Sequence, residues 1–173
     1  MPTVIIRPDA IGADAGFDQT GPNLLGRIND NDTGTAINQN NTSANFNVGM
    51  ENSSDYSGAT INNVVVSVIG NTSGKASSAQ VEIVLKDASE SELQTRILVF
   101  SSTESTQSAP AYSTSLTPSV VDGLNLAVTP DTSGITIKEI FITVDYTAAA
   151  VATTPFIGMK SGKYKIVSGK IKI

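Results

Sequence analysis

Residues 135–147, with the sequence ITIKEIFITVDYT, decide the fold because they form the longest strand pattern of the chain. From position 140 onward every second residue is apolar, which is typical of an antiparallel strand with one buried face. The alternation changes phase at Lys138-Glu139, since the two isoleucines before them fall on the opposite parity. A β-bulge at this point would return both halves to one inward face.

Other segments show the same period of two, and the abundance of Ser, Thr, Asn and Gly favours short strands joined by turns. The first strand is expected to stop at Pro8, followed by a loop. A short helix at residues 88–97 is an alternative, because Ser89 and Glu92 resemble a capping box. About eight strands without a convincing helix predict an all-β, antiparallel β-sandwich of jelly-roll type. The predicted strands are residues 2–7, 24–28, 59–69, 79–86, 93–101, 112–116, 120–128 and 135–147.

The same alternation predicts which side chains form the core. Aromatic residues are only 5% of the chain and Trp is absent, so the core must consist mainly of Val, Ile and Leu. On residues 93–101 the alternation assigns Leu93, Thr95, Ile97 and Val99 to one face of the strand. The expected core residues are Val81, Ile83, Leu85, Leu124, Leu126, Ile140, Ile142 and Val144.

The charge of the chain is distributed unevenly. Residues 1–145 contain all 16 acidic residues and six basic ones, whereas residues 146–173 contain five lysines and no acid. This contrast predicts a sandwich domain at 1–147, then a linker and an extended basic C-terminal arm at 148–173 that docks on an acidic neighbour. The arm could pair with its own sandwich or with a neighbouring copy. Its predicted docking residues are Phe156, Ile157, Lys160, Lys163, Tyr164, Lys165, Ile166, Lys170, Ile171 and Lys172.

The composition excludes several kinds of chemistry. The chain contains no Cys and no His, which excludes disulfides, thiolate or histidine metal sites and Ser-His-Asp catalysis. We therefore expect no enzymatic activity and no cofactor. The acidic body argues against nucleic acid as a partner, and no apolar run approaches the roughly 20 residues of a membrane helix.

Acidic side chains provide two candidate sites. Asp30 and Asp32 lie two positions apart in an Asn-rich loop and could hold Ca²⁺, but the alternative is a turn whose side chains cap their own backbone. Glu82, Glu139 and Asp145 lie on predicted strands and could supply a carboxylate pair for glycoside hydrolysis. The alternative for these three is an ordinary solvent-facing position.

Tyrosines provide a third candidate site, because β-sandwiches commonly bind sugars on exposed aromatic rings. Tyr56 and Tyr112 lie near predicted loops and could stack on a sugar, while Tyr146 is expected in the core. The alternative for the first two is packing at the edge of the sandwich.

Several short segments resemble a jelly-roll module of tailed-bacteriophage virion proteins. The resemblance covers roughly residues 3–147 and lacks the Trp often found in the first loop, where Phe17 stands. The matching segments are Ile5-Ile6-Arg7-Pro8-Asp9, Leu25-Gly26-Arg27-Ile28-Asn29-Asp30-Asn31-Asp32, Ala36-Ile37, Leu124-Asn125-Leu126-Ala127-Val128 and residues 137–146.

The resemblance implies a structural protein of the virion. It predicts a capsid decoration (cement) or minor capsid protein that binds capsid or other virion proteins, forms a homo-oligomer and is located in the virion. The alternatives are a carbohydrate-binding module of a tail or fibre, whose partner is a glycan, and an extracellular adhesin subunit.

Overall fold

The computed structural model describes residues 1–15, 25–29, 36–38, 45–72, 77–130, 134–150, 165–167 and 170–172. Regular structure in these ranges is almost entirely strand. One short helix, α1, spans Pro118–Val121, and 3₁₀ turns span Leu25–Arg27 and Ser54–Tyr56. The strands are β1 Thr3–Ile6, β2 Pro8–Ala15, β3 Ile37–Asn38, β4 Asn45–Met50, β5 Thr60–Thr72, β6 Ser78–Lys86, β7 Glu92–Ser101, β8 Ser105–Ser108, β9 Asn125–Pro130, β10 Ile135–Thr147, β11 Lys165–Val167 and β12 Lys170–Lys172.

Two antiparallel sheets form the sandwich. The first sheet has the order β1-β10-β5-β8, with β3 also paired to β10, and the second has the order β2-β4-β9-β6-β7. The chain crosses between the sheets at both sides, from β1 into β2 and from β7 into β8. Inward residues of both sheets, such as Val66 and Leu126, belong to one hydrophobic core. The predicted antiparallel β-sandwich is therefore confirmed.

Strand β10 contains the predicted bulge. Ile137 pairs with Gly70 and Glu139 pairs with Ile69, so Lys138 is the extra residue at the register shift. As a result Ile137 and the isoleucine at 140 are both buried, although the sequence parity separates them. Because of the bulge, the apolar side chains of both halves of this 13-residue strand face the same core.

The predicted core is confirmed, and on β7 the inward face is the one opposite to Leu93, Thr95, Ile97 and Val99. The side chains of Leu98 and Phe100 are buried, whereas Ile97 and Val99 are 57% and 51% exposed. Both faces of β7 carry apolar residues, so alternation alone does not select one. Pairing with β6 selects it, because Leu98 lies opposite the buried Val81.

A capped turn replaces the first part of the strand predicted at 120–128. Thr117 Oγ1 accepts a hydrogen bond from the Val120 backbone N–H at 3.2 Å, and Pro118 follows the cap. Both features favour a helix start, and the strand begins only at Asn125.

The alternative helix at 88–97 is not formed. Asp87 Oδ1 instead accepts hydrogen bonds from the backbone N–H groups of Ser89 (2.8 Å) and Ser91 (3.0 Å). The Ser89 hydroxyl also donates to Asp87 Oδ1, at 2.6 Å, and this bond, followed by the backbone bonds, lowers the pKa of Asp87. The resulting Asx-type turn joins β6 to β7 as a hairpin.

Local strand assignments differ from the prediction in four further places. Pro8 does not end the strand region but opens β2, an edge strand, and a first position on an edge tolerates proline. Residues 105–108 form β8 rather than loop. Residues 25–27 form a 3₁₀ turn, and the strand predicted at 112–116 is a single bridge between Tyr112 and Val64.

The C-terminal region contains a short hairpin. Strands β11 and β12 pair antiparallel, with Ile166 opposite Ile171 and Lys165 opposite Lys172. The arm therefore contains strand structure, while its docking stays a prediction. The remaining predicted docking residues, Phe156, Ile157, Lys160, Lys163 and Tyr164, lie outside the described residues.

Candidate functional site

The three candidate carboxylates do not come together. Glu139 is buried and forms an ion pair with Arg7, with Nε 3.1 Å from Oε1, so its predicted solvent-facing position is wrong. Asp145 lies six residues further along β10, about 20 Å at strand spacing. Glu82 lies on the outer face of the opposite sheet, and stacked sheets alone are about 10 Å apart. Glycoside hydrolysis needs two carboxyl groups within about 5–9.5 Å, and these residues do not supply that pair.

The predicted calcium ligands Asp30 and Asp32 lie outside the described residues. Within the described ranges, no cluster of three or more His, Cys, Asp or Glu side chains could hold a metal ion. In the same ranges no helix has the length and apolarity needed to cross a membrane.

Tyr56 is a buried structural residue rather than a sugar platform. Its hydroxyl donates to Asp122 Oδ1 at 2.8 Å and accepts from the backbone N–H of Ser53 at 3.3 Å. Burial, and next the bond to Asp122, raises the pKa of Tyr56 well above its ordinary value of 10.0. The prediction that this ring could stack on a sugar is therefore wrong.

The other two tyrosines are partly buried against the core. Tyr146 meets Tyr56 edge to face, with ring centroids 6.4 Å apart and planes at 70°. Tyr112 forms its backbone bridge with Val64 at the margin of the first sheet. Tyr146 therefore contributes to the core as predicted, and Tyr112 keeps only part of its ring accessible.

The outer face of the first sheet combines polar and apolar groups, and it is the candidate site of the described chain. Its residues lie in cross-strand rows set by the pairing of β1, β10, β5 and β8. We call this surface the first-sheet face. It consists of Thr3, Ile5, Asn62, Asn63, Val65, Ser67, Ser108, Phe141, Thr143, Asp145 and Thr147.

A hydrogen-bonding cluster occupies one end of the first-sheet face. Asn63 pairs with Asp145, whereas Asn62 is the extra residue at a second register shift. The two amides donate to Asp145 Oδ1 and Oδ2, each at 3.3 Å, and Asn62 Nδ2 also lies 3.2 Å from Thr147 Oγ1. These distances are at the long end of the hydrogen-bond range. Ligand hydroxyls could therefore replace these contacts at a small cost in free energy.

Apolar side chains continue the first-sheet face toward the middle of β10. Ile5 is 43% exposed, and it lies beside Thr143, one row from Asp145. Phe141 is partly exposed in the next row, opposite Ser67. Rows on one face of a strand are about 6.7 Å apart, so the carboxylate and the aromatic ring are about 13 Å apart along β10. An elongated polar ligand could contact both.

The alternation of β10 indicates this face, although the tyrosines considered above do not lie on it. Alternation along residues 140–146 assigns Phe141 and Asp145 to the same outward side, opposite the buried isoleucines. Phe141 lies within a strand, whereas the candidate tyrosines lie near predicted loops. Asn62 reaches Asp145 because of the second register shift, which no pattern in the sequence indicates.

The comparisons with known proteins establish a fold without a family. The sequence matches no family model and no curated protein. The solved structure of truncated AlyQ with CBM32 and alginate lyase domains is 17% identical to the chain, with a TM-score of 0.53, and the match covers 86% of this chain and 35% of that one.

Two further solved structures are carbohydrate-binding modules. One is the C-terminal CBM6 of LamC from Zobellia galactanivorans (11% identity, TM-score 0.44, covering 83% of this chain and 98% of that one). The other is CBM6cm-2 of Cellvibrio mixtus lichenase 5A in complex with cellotriose (9% identity, TM-score 0.42, covering 83% and 97%).

The prediction of a phage capsid decoration or minor capsid protein is wrong, because the solved structure that shares the fold at a TM-score of 0.53 contains CBM32 and alginate lyase domains and is not a virion protein. The predicted capsid partners depended on the same interpretation and are not supported. The predicted location in a virion depended on it as well. The resemblance to the phage module and the homo-oligomer stay predictions that no observation tests. What the comparisons establish is the fold of the chain, a two-sheet antiparallel β-sandwich.

Proposed function

We propose that the chain is a non-catalytic carbohydrate-binding module that holds a glycan on the first-sheet face. The observation that carries the proposal is the placement of the Asp145 cluster and the partly exposed Phe141 on one outer face. Sugar rings have apolar faces and hydroxyl edges, so a surface that binds them needs both kinds of contact.

The polar end of the first-sheet face has the hydrogen-bonding groups that a diol requires. The Asp145 carboxylate accepts from sugar hydroxyls, while the amide groups of Asn62 and Asn63 can donate to the same hydroxyls. Because both amides already point at the carboxylate, donors and acceptors lie side by side. A ligand hydroxyl that enters this cluster can donate to the carboxylate and accept from an amide.

The apolar part of the face supplies the stacking surface. Ile5 is exposed on β1 and Phe141 is partly exposed on the adjacent β10, one row from the row that Ile5 shares with Thr143. Burial of an accessible aromatic face by a sugar ring removes apolar area from water, worth roughly 25 cal/mol per Å². The likeness of the fold to a chain that contains a CBM32 supports the same class of function.

Absence of catalysis belongs to the proposal. Glu139, the carboxylate nearest to the site along β10, is bound to Arg7 and buried. Neither Glu82 nor Glu139 lies close enough to Asp145 to form the pair of carboxylates that glycoside hydrolysis requires. This arrangement favours binding of a glycan over cleavage of its bonds.

Affinity electrophoresis against a panel of soluble polysaccharides, followed by calorimetry on the oligosaccharides of each ligand, tests the function. We expect retardation of the wild-type chain and at least about tenfold weaker binding by Phe141→Ala or Asp145→Ala, since the first removes the stacking ring and the second removes the hydrogen-bonding group. The matched controls are Ile97→Ala and Glu82→Gln on the second sheet, which should bind normally. Absence of binding to every glycan, or equal binding by all four variants, would contradict the proposal.

A further inference from the structure

The charges around the first-sheet face restrict the kind of glycan that it can accept. Asp145 supplies a carboxylate at the polar end of the face. In the described chain, the rows that run from Thr3 to Asn63 and from Ile5 to Val65 contain no Lys or Arg. A ligand that contacts these rows therefore meets a negative group without a neighbouring cation.

Two described cations close to the face are paired with carboxylates. Arg7 directly follows Ile6, the last residue of β1, and its Nε donates to Glu139 Oε1 at 3.1 Å. Lys138, further along β10, forms an ion pair with Glu104. A guanidinium or ammonium group in such a pair has its charge compensated, so it offers little attraction to a ligand carboxylate.

The charge of the whole domain acts in the same direction. Residues 1–145 contain 16 acidic and six basic residues, a net charge of −10. A field of this sign lowers the local concentration of anionic ligands and slows their association. The Asp145 carboxylate, as a fixed repulsive group inside the site, adds discrimination at contact distance.

We infer that the glycan bound on the first-sheet face is uncharged, and that Asp145 is the residue that rejects polymers of uronic acids. This inference rests on the proposed function and makes it more specific. The same carboxylate that accepts bonds from the hydroxyls of a neutral sugar would face the C6 carboxylate of a uronic acid.

The test uses pairs of ligands that differ only in charge. Oligosaccharides of β-1,4-glucan, β-1,3-glucan and β-1,4-mannan are each compared with their C6-oxidised, uronic acid counterparts by calorimetry. For whichever backbone binds, we expect the neutral form to bind at least about tenfold more tightly at low salt, because screening is then weakest. Asp145→Asn should reduce this ratio, and Glu82→Gln on the opposite sheet should leave it unchanged.

The outcomes separate the two proposals. If an oxidised oligosaccharide binds as tightly as its neutral counterpart or more tightly, the inference of an uncharged ligand is overturned while carbohydrate binding stands. If the ratio is large but identical in Asp145→Asn, the role of that residue is overturned. If neither member of any pair binds, the proposed function fails, and the inference fails with it.

Discussion

Arg7 Nε donates to Glu139 Oε1 across 3.1 Å, and this ion pair lies where the bulge interrupts β10. Arg7 also stands at the crossing between the sheets, where its backbone N–H donates to Glu51 Oε1 at 3.0 Å and its carbonyl oxygen accepts from the Glu51 N–H at 2.8 Å. One residue therefore links the bulge of the first sheet to the start of the second. The bulge sets which residues of β10 face outward at the candidate site.

Glu139→Gln tests the importance of this pair. The substitution replaces a charge-assisted hydrogen bond of a buried carboxylate by a neutral one, so we expect the free energy of unfolding to fall by about 2–3 kcal/mol. The matched control is Glu104→Gln, whose carboxylate pairs with Lys138 but is 41% exposed, and which should change stability by less than about 1 kcal/mol. Denaturant unfolding of both variants measures the difference. Equal effects would show that the pair has no special role in the fold.

The arrangement of β10 could be predicted because its information is local. Alternation and its phase change at Lys138-Glu139 are visible in the sequence, and both the buried face and the bulge follow from them. The Arg7–Glu139 contact joins residues 132 positions apart, so no local pattern reveals it. Glu139 consequently resembled an ordinary solvent-facing residue or a catalytic candidate.

The face of β7 and the candidate site depended on partners that the sequence does not specify. Ile97 and Leu98 are equally apolar, and only the register with β6 determines that Leu98 is inside. The first-sheet face likewise exists because β1, β5 and β10 pair in one register. Strand patterns predict each component, but only the pairing brings Phe141, Asp145 and Asn62 onto one surface.

Ile142→Ala tests the core at the centre of the first sheet. Ile142 is fully buried and pairs with Ile6 and Val66, so the substitution should lower the free energy of unfolding by about 2–5 kcal/mol. The same substitution at Ile97, which is 57% exposed, removes as many atoms but should have a much smaller effect. Thermal or denaturant unfolding of the two variants provides the comparison, and an unchanged midpoint for Ile142→Ala would contradict the assigned packing.

Burial of Tyr56 should make the free energy of unfolding decrease at alkaline pH. Its pKa is raised in the folded chain above the ordinary 10.0, so the native state holds this proton longer than the unfolded state. The contribution is complete below pH 10 and decreases as the pH rises beyond it. Unfolding measured between pH 9 and about 11.5 should show this loss in the wild type and a smaller one in Tyr56→Phe. The variant should also be less stable at neutral pH by about 1 kcal/mol, through loss of the bond to Asp122. Identical pH profiles would contradict the assignment.

Removal of residues 151–173 should leave the sandwich folded. The described core extends from Ile6 to Val144, and β10 ends at Thr147. We expect an unchanged denaturation midpoint and unchanged glycan binding, because the first-sheet face is built from residues before position 148. Truncation after Ile140, which removes half of β10, is the control that should not fold. If the shorter chain lacking only 151–173 also fails to fold, the arm is an integral part of its own domain.

Mapping of the bound glycan by NMR tests the central claim most directly. Backbone amide shifts of the isotopically labelled chain are followed while the oligosaccharide identified by electrophoresis is added. The proposed function predicts the largest shifts at residues 62–67 and 141–147, and small shifts at residues 80–84 and 95–99 on the second sheet. Saturable shifts confined to the second sheet, or to neither region, would contradict a glycan site on the first-sheet face.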